Sequence, residues 1–538
     1  MEMNWHLAEL WDLVSDTVPD APAIRLGDET MTWSAYEDRA ARLANAFTKF
    51  GAGPGTKVGI YAFNSVGWVE AQYATFKSRA TVVNVNYRYT EDELVYLLDY
   101  TDTELLVYDA QFSDRVAAIR SRLPKLRRLV EIDDRSGSKF AEGDCIESLI
   151  AAYPPLGRQP YAETDLHMLC TGGTTGMPKG VLYEQGVYTH SLFNGFALAG
   201  QAPCRTRAEV IDAIRSKWDE QSAPVSLPAC PLMHGTGFAL GIVATHAIGG
   251  CVVPFANDGF DAHHIWNAVS VNQVTDIIIV GDAFARPMVD ALGQAAGRSE
   301  PYALPSLQRI HSSGVMFSRE MKAALLDHLD VTIMDLAGAT EGSMAASITS
   351  RSAPPVDTGN FMPSPTTKVF GKDDREILPG SDEIGMIATT GLVPVGYYKD
   401  ELKSAATFRM VNGIRYSFPG DFAKIATNGS LIFLGRGSNC INTGGEKVFA
   451  EEVEEALKSH PHIADSIVVG IPDERFGQRI VAIIAGDGKA VGEAELADFC
   501  RQSLSGYKIP RKVIWVPQVQ RGPNGKPDYG WARQIAAR

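Results

Sequence analysis

Between residues 57 and 109 the chain alternates short β-branched runs with segments whose apolar residues recur at helical spacing, which narrows the folds open to it. VGIYAF at 58–63 reads as a strand and 65–76 as a helix. TVVNVN at 81–86, EDELVYLLDYT and ELLVYDA then repeat the order strand, helix, strand. Parallel strands need long crossovers, and helices usually supply them, so this order predicts a parallel sheet with covering helices. The pattern returns in SLPACPLM, CVVPFA, TDIIIVG and LDVTIMDLAG. Residues 31–48 predict a short strand or turn followed by an amphipathic helix, and 201–226 a helical insertion between core elements. No short-period repeat is present.

The chain changes character near GSLIFLGRGSNCINTGGEKVFAEEVEEAL, where a strand runs into the glycine-containing stretch 435–445 and EEVEEAL reads as helix. SIVVGIPD, RIVAIIAG, AELADFCRQSL and RKVIWVP then form a compact α+β alternation. A boundary at about Gly435–Cys440 divides a large unit, 1–436, from a small one, 437–538. At 538 residues the chain exceeds one ordinary core, and the last segment is long enough for a core of its own. The expected fold class is α/β, with a multi-subdomain N-terminal region of mixed sheets and helices and a small α+β C-terminal domain.

A formal net charge of −14 argues against nucleic acid as a partner, since backbone phosphates reward a basic face. Seven widely spaced cysteines without a CxxC pair fit a reducing, cytoplasmic compartment. The N-terminal MEMNWHLAELWDLV carries early acids and lacks the basic start of a signal peptide. The apolar run GIVATHAIGGCVVPF is interrupted by His246 and too short for a clean span, so no transmembrane segment is expected. Association with a membrane surface stays open.

The strongest local signal is Thr171-Gly172-Gly173-Thr174-Thr175-Gly176-Met177-Pro178-Lys179-Gly180, directly after the apolar LHMLC. Glycines let backbone N–H groups approach phosphate oxygens, threonine hydroxyls add donors, and Lys179 adds a mobile positive charge. The string is not the strand-to-helix P-loop G-x4-G-K-[ST], because Gly180 follows Lys179.

This string resembles the phosphate loop of the adenylate-forming superfamily: acyl-CoA synthetases, luciferases and the adenylation domains of peptide synthetases. The resemblance continues in order through Pro231-Leu232-Met233-His234, Gly338-Ala339-Thr340-Glu341, Gly396-Tyr397-Tyr398, Gly420-Asp421, Gly435-Arg436, Gly444-Gly445-Glu446-Lys447 and Gly525-Lys526. It implies a large N-terminal region and a small mobile C-terminal domain. It also implies that ATP and a carboxylic acid form an acyl-adenylate, whose acyl group passes to coenzyme A.

By that resemblance Thr171–Lys179 hold the β- and γ-phosphates, Gly338, Ala339 and Thr340 lie along the nucleotide, and Glu341 binds Mg²⁺. One carboxylate suffices where phosphates and waters complete the magnesium shell. Asp421 corresponds to the acid that accepts both ribose hydroxyls, and Arg436 to a ribose or phosphate ligand. Lys526 corresponds to the lysine that bridges the acid's carboxylate and the developing adenylate. His234 stands at the junction of acyl and thiol channels, and Gly444 and Gly445 line the approach of the pantetheine arm. Lys526 must leave the centre if the same volume is to admit a thiol, and Asn439 matches the hinge. Attack on a mixed anhydride needs positioning and charge more than a protein nucleophile.

Ala337 stands where relatives commonly place an aromatic ring against adenine. Pro419 replaces a frequent threonine, Ser438-Asn439 a common Lys-Asp pair, and Asn442 a frequently basic residue. The apolar FALGIVATHAIGG, without an amine-pairing aspartate, favours a hydrophobic acid. The insertion, INTGGEKVFAEEVE and RGPNGKPDY resemble actinobacterial acyl-CoA ligases, some acting on fatty acids and others on steroid side-chain acids. A homodimer is the family-level expectation. A non-catalytic nucleotide- or acyl-binding module, luciferase-like oxidation, and an acceptor other than coenzyme A stay as alternatives.

Overall fold

The computed structural model describes residues 5–133, 136–137, 143–171, 178–195, 204–255, 260–443, 446–473, 476–487, 491–522 and 525–538. Gly172, Gly173, Thr174, Thr175 and Gly176 of the phosphate loop, and Gly444 and Gly445, lie outside these residues.

The alternation at the start of the chain becomes one edge of a sheet. Strands Lys57–Tyr61, Thr81–Asn84, Thr103–Asp109 and Arg128–Ile132 pair in parallel. Val66–Lys77 and Glu91–Tyr100 are the crossover helices, and Thr90 with Glu93 closes a reciprocal cap at the second. Trp33–Lys49 is also helical; it buries Trp33, Tyr36, Ala40, Leu43, Ala44 and Phe47 on one face, and Thr32 caps it by accepting from Ala35 N at 3.2 Å. A second sheet runs in parallel through Pro22–Leu26, Cys251–Val252, Val225–Pro228, Asp276–Ile279, Arg309–Ser313 and Thr332–Ala339.

Both sheets then depart from the expected parallel order. Leu166–Thr171 pairs antiparallel with Lys179–Glu184, and Thr332–Ala339 with Gly342–Thr349. In each case the connection is short, and a short loop can only reverse the chain. These two reversals carry the phosphate string and Thr340-Glu341. A third sheet, from Cys440 onward, has its own core of Ile441, Val453, Leu457, Ile467, Ile483 and Tyr529 among others.

The insertion contains a helix, Arg207–Asp219, which seats Val210 and Ile214 in the first core. His246, the residue that breaks the apolar run, is a core histidine. Its ring stands edge-on to Trp11 and Trp33, Nε2 lies 3.0 Å from Ala23 O, and burial lowers its pKa to about 4. Among the described residues no helix is long and apolar enough to cross a membrane.

One feature of the site wall was not legible in sequence: Gly237–Val243 is a π-helix. A Cβ on Gly237 would meet Pro231 O at 2.4 Å, and one on Gly241 would meet the Pro228 ring at 2.9 Å. Two glycines thus let this wide turn lie flat on the PLMH loop. Two buried asparagines fix that loop from the neighbouring sheet. Asn64 accepts from Leu232 N at 2.8 Å and donates to Pro228 O and Cys230 O. Asn84 donates to Met233 O and Cys170 O and accepts from Cys170 N, joining the PLMH loop to the strand that enters the phosphate string. Asn64→Ala would leave these buried backbone groups unpaired. The expected loss is about 2–3 kcal/mol, read as a lower midpoint in thermal or denaturant unfolding.

Candidate active site

Thr171 and Lys179 are cross-strand partners at the mouth of the phosphate hairpin. This is a β-hairpin, whereas the strand-to-helix P-loop opens a helix. The Lys179 ammonium pairs with the Asp400 carboxylate, and Asp400 also accepts from Lys403 N at 3.1 Å to start the helix Glu401–Thr407. The bond from Lys179 holds the Asp400 carboxyl below its usual range. Lys403 places its ammonium 4.5 Å from the centre of the Tyr397 ring. Burial, followed by the charge of Lys179, lowers its pKa. Asp400 and Lys403 were missed in sequence, although both follow directly on Gly396-Tyr397-Tyr398.

Thr340 and Glu341 form the turn of the second hairpin. Two tyrosines from the first sheet hold it: the Tyr183 hydroxyl donates to Thr340 O, and the Tyr397 hydroxyl donates to Glu341 Oε1 at 2.6 Å. Gly396–Tyr397 itself pairs with the strand leaving the phosphate hairpin. The Thr340-Glu341 turn is therefore tied through tyrosine hydroxyls to the strand Lys179–Glu184 and to its neighbour Gly396–Tyr397.

Asp421 and Arg436 face each other on paired strands, with Arg436 Nε donating to Asp421 Oδ1 at 3.2 Å. Asp421 Oδ2 is buried and accepts no hydrogen bond among the described residues. Burial raises the Asp421 pKa, and Arg436 opposes the shift. A buried carboxylate oxygen with open acceptor capacity suits a sugar hydroxyl.

Lys526 comes from the third-sheet unit and shares a cavity of about 670 Å³ with Asp421, Arg436, Gly338 and Ala337. Its side chain opens onto that cavity, so solvent reaches it there, while protein surrounds it on the other sides. Burial and then Arg436 lower its pKa, against the opposing charges of Glu341 and Asp421. His234 joins the same group: burial, then Lys526 and Arg88, bring its pKa to about 3, and its Nε2 is buried without a hydrogen-bond partner among the described residues. Five residues singled out from sequence, His234, Glu341, Asp421, Arg436 and Lys526, thus converge from four separate stretches of chain.

At Ala337 the missing ring has a local counterpart. Phe361 and Phe433 line the same part of the cavity, with ring centroids 6.4 Å apart and nearly perpendicular. At the proposed hinge, Asn439 Nδ2 donates to Glu451 Oε1 at 3.0 Å, and a Cβ on Gly435 would meet Glu451 Oε2 at 2.3 Å. Among the described residues no cluster of three or more His, Cys, Asp or Glu side chains could hold a metal by itself.

The same fold is found in solved CoA ligases. It superimposes on the anthranilate CoA ligase AuaEII with a TM-score of 0.82 over 98% of each chain, at 21% identity. Family models for the AMP-binding enzyme and for the AMP-binding enzyme C-terminal domain match residues 12–398 and 452–526. The chain belongs to the AMP-binding enzyme family. It is 38% identical to the 3-oxocholest-4-en-26-oate–CoA ligase of Rhodococcus rhodochrous, covering 99% of this chain and 96% of that one. It is 36% identical to the medium/long-chain-fatty-acid–CoA/3-oxocholest-4-en-26-oate–CoA ligase of Mycobacterium marinum, covering 99% and 97%.

Asn439→Asp would set a second carboxylate against Glu451, whose pKa burial already raises. A carboxyl with a raised folded-state pKa takes up protons preferentially on folding. The stability it contributes is present at low pH and lost as pH rises from the unfolded value through the raised one. The variant is therefore expected to melt below wild type at about pH 8, with the gap narrowing towards about pH 5, as read by calorimetry across that range.

Proposed function

We propose that this enzyme is an ATP-dependent acid–thiol ligase of the AMP-forming type, acting on a hydrophobic carboxylic acid. Its substrate class is that of medium- and long-chain fatty acids or steroid side-chain acids, as the names of its relatives indicate. The observation that carries the reading is the entry of Lys526 from the smaller unit into a centre formed by Glu341, Asp421, Arg436 and His234.

In the first half-reaction a carboxylate oxygen attacks the α-phosphorus of ATP, and the bond to pyrophosphate breaks. Both reactants are anionic, so the barrier falls when fixed cations face the charge that develops. Lys526 takes that role between the acid and the α-phosphate. Thr171, the glycine-threonine string and Lys179 hold the β- and γ-phosphates, with Lys179 exchanging Asp400 for phosphate oxygen. Asp421 Oδ2 accepts from a ribose hydroxyl, Arg436 braces Asp421, and Thr340 lies towards the α-phosphate. Phe433 and Phe361 supply the apolar surface for adenine that Ala337 does not.

Glu341, held by Tyr397 through Oε1, fits a magnesium ion that takes most of its ligands from phosphate and water. Bound there, Mg²⁺ would neutralise phosphate charge. In the second half-reaction a thiolate of coenzyme A attacks the acyl carbon and AMP leaves. Neutral His234 borders that path, and Gly444 and Gly445 line the pantetheine approach. The units divide at 436/437 and turn about Asn439. A cytoplasmic homodimer, at most peripheral to a membrane, completes the proposal.

The test is acid-dependent pyrophosphate release with ATP and Mg²⁺ over medium-chain, long-chain, aromatic and steroid carboxylates, followed by mass detection of the product with and without coenzyme A. An acyl-CoA product supports the ligase. Acyl-AMP that ignores coenzyme A points to another acceptor, and tight nucleotide binding without turnover to a binding module. Lys526→Ala should slow pyrophosphate release by about a hundredfold or more, while conversion of preformed acyl-adenylate stays within about threefold of wild type. Phe433→Ala should weaken ATP binding by about tenfold in calorimetric titration.

A further inference from the structure

The Lys179 ammonium, assigned above to phosphate oxygens, is already held by a carboxylate of the protein, Asp400 Oδ2. Among the described residues Asp400 is the one acid within ion-pair distance of Lys179, and Lys179 the one cation within that distance of Asp400. The neighbouring lysines are engaged elsewhere. Lys399 lies 2.7 Å from Asp102 and donates to Tyr100 O at 2.9 Å, while the Lys403 ammonium stands over the Tyr397 ring.

The carboxylate is anchored to the strand that bears the lysine. Gly396–Tyr397 pairs antiparallel with Lys179–Glu184, and Tyr398 N donates to Gly180 O at 2.8 Å. Ser404 Oγ closes the turn between them, accepting from Tyr397 N at 2.8 Å and donating to Asp400 O at 2.6 Å. Asp400 therefore belongs to the same unit as Lys179, and its reach does not depend on where the small unit stands.

The two carboxylate oxygens divide their work. Oδ1 accepts from Lys403 N at 3.1 Å and caps the helix Glu401–Thr407, while Oδ2 takes the ammonium. A phosphate oxygen can thus replace Oδ2 at Lys179 and leave the cap intact. The side chains are 38% and 27% exposed, so an incoming anion reaches the pair. A lysine ammonium is a compact charge on a flexible stem and changes partners readily. Any share of it held by Asp400 lowers its apparent affinity for phosphate in proportion. Because an exposed pair is weak, that effect is a few-fold one.

The geometry points to Asp400 as a positioning residue that stands in for phosphate at Lys179, holding the ammonium while no phosphate is bound and taking it back as pyrophosphate leaves. The identity of that anion rests on the ligase reading. Asp400 touches no reacting atom and no covalent bond changes; one anion replaces another at the same ammonium. Its signature is a sign. Removing a competitor tightens pyrophosphate binding, whereas removing a brace that merely aims Lys179 at phosphate would weaken it.

The experiment uses Asp400→Asn and Asp400→Ser, which remove the charge and keep a side-chain oxygen able to cap the helix. In calorimetric titration with magnesium pyrophosphate each should bind about three- to fivefold more tightly than wild type, with the gain shrinking as potassium chloride is raised. Lys179→Gln should bind more weakly, and adding Asp400→Asn to it should change binding by less than about twofold, because the carboxylate then has no ammonium to hold. In turnover, the added pyrophosphate that halves thioester formation should fall in Asp400→Asn by the same factor as the titration. Weaker or unchanged binding in both Asp400 variants, or equal tightening with and without Lys179, would overturn the assignment. If wild type binds pyrophosphate but activates none of the acids, the ligase reading fails while the titration still decides Asp400. Wild type that binds no pyrophosphate overturns the stand-in itself.

Discussion

Everything in the centre depends on bringing a lysine ammonium from one unit among carboxylates and a guanidinium that belong to another. Lys526 meets Glu341, Asp421 and Arg436 only because the third sheet is docked against the first two. Burial works against its charge, Arg436 adds to that, and the two acids oppose both. Such a balance is sensitive to position. A small retreat of the smaller unit would take the ammonium away from these groups and leave Asp421 and Glu341 with Arg436 as their cation.

The large unit supplies the frame that faces this charge. Its two sheets reverse direction after Leu166–Thr171 and Thr332–Ala339, and the second reversal places Thr340-Glu341 in a turn at its strand's carboxyl end. Tyr183 and Tyr397 tie the second turn to the first sheet, and Asn84 ties the first turn's entry strand to the PLMH loop. Tyrosine hydroxyls and asparagine amides suit this work, since each reaches across an apolar layer and still satisfies a buried backbone or carboxylate partner. The site is thus held by polar contacts between sheets, on top of the packing within them.

The departures from the family pattern make local physical sense. Asn439 can donate to Glu451, where a carboxylate would repel it. Ala337 leaves room beside Phe361 and Phe433, so an aromatic surface is present on a neighbouring wall of the cavity. The helix Ala450–Lys458 gathers several of these adjustments. Glu451 accepts from Asn439, Glu454 accepts from Val468 N, and Lys458 lies 3.1 Å from Glu455.

The sequence by itself determined the elements and the chemistry of the motifs. Apolar periodicity marked the crossover helices at Val66–Lys77 and Glu91–Tyr100, and glycine, threonine and lysine spacing marked 171–180 as a candidate phosphate loop, because both are local properties of a few adjacent residues. The tertiary structure alone decided which sheet edges reverse, that Gly237–Val243 winds as a π-helix, and that Asp400, Lys403, Asn64 and Asn84 attend the site. It alone brought Lys526 to the cavity of Asp421 and Arg436, which lie far from it in the chain. A contact between distant residues depends on how whole sheets dock, and no local spacing records that.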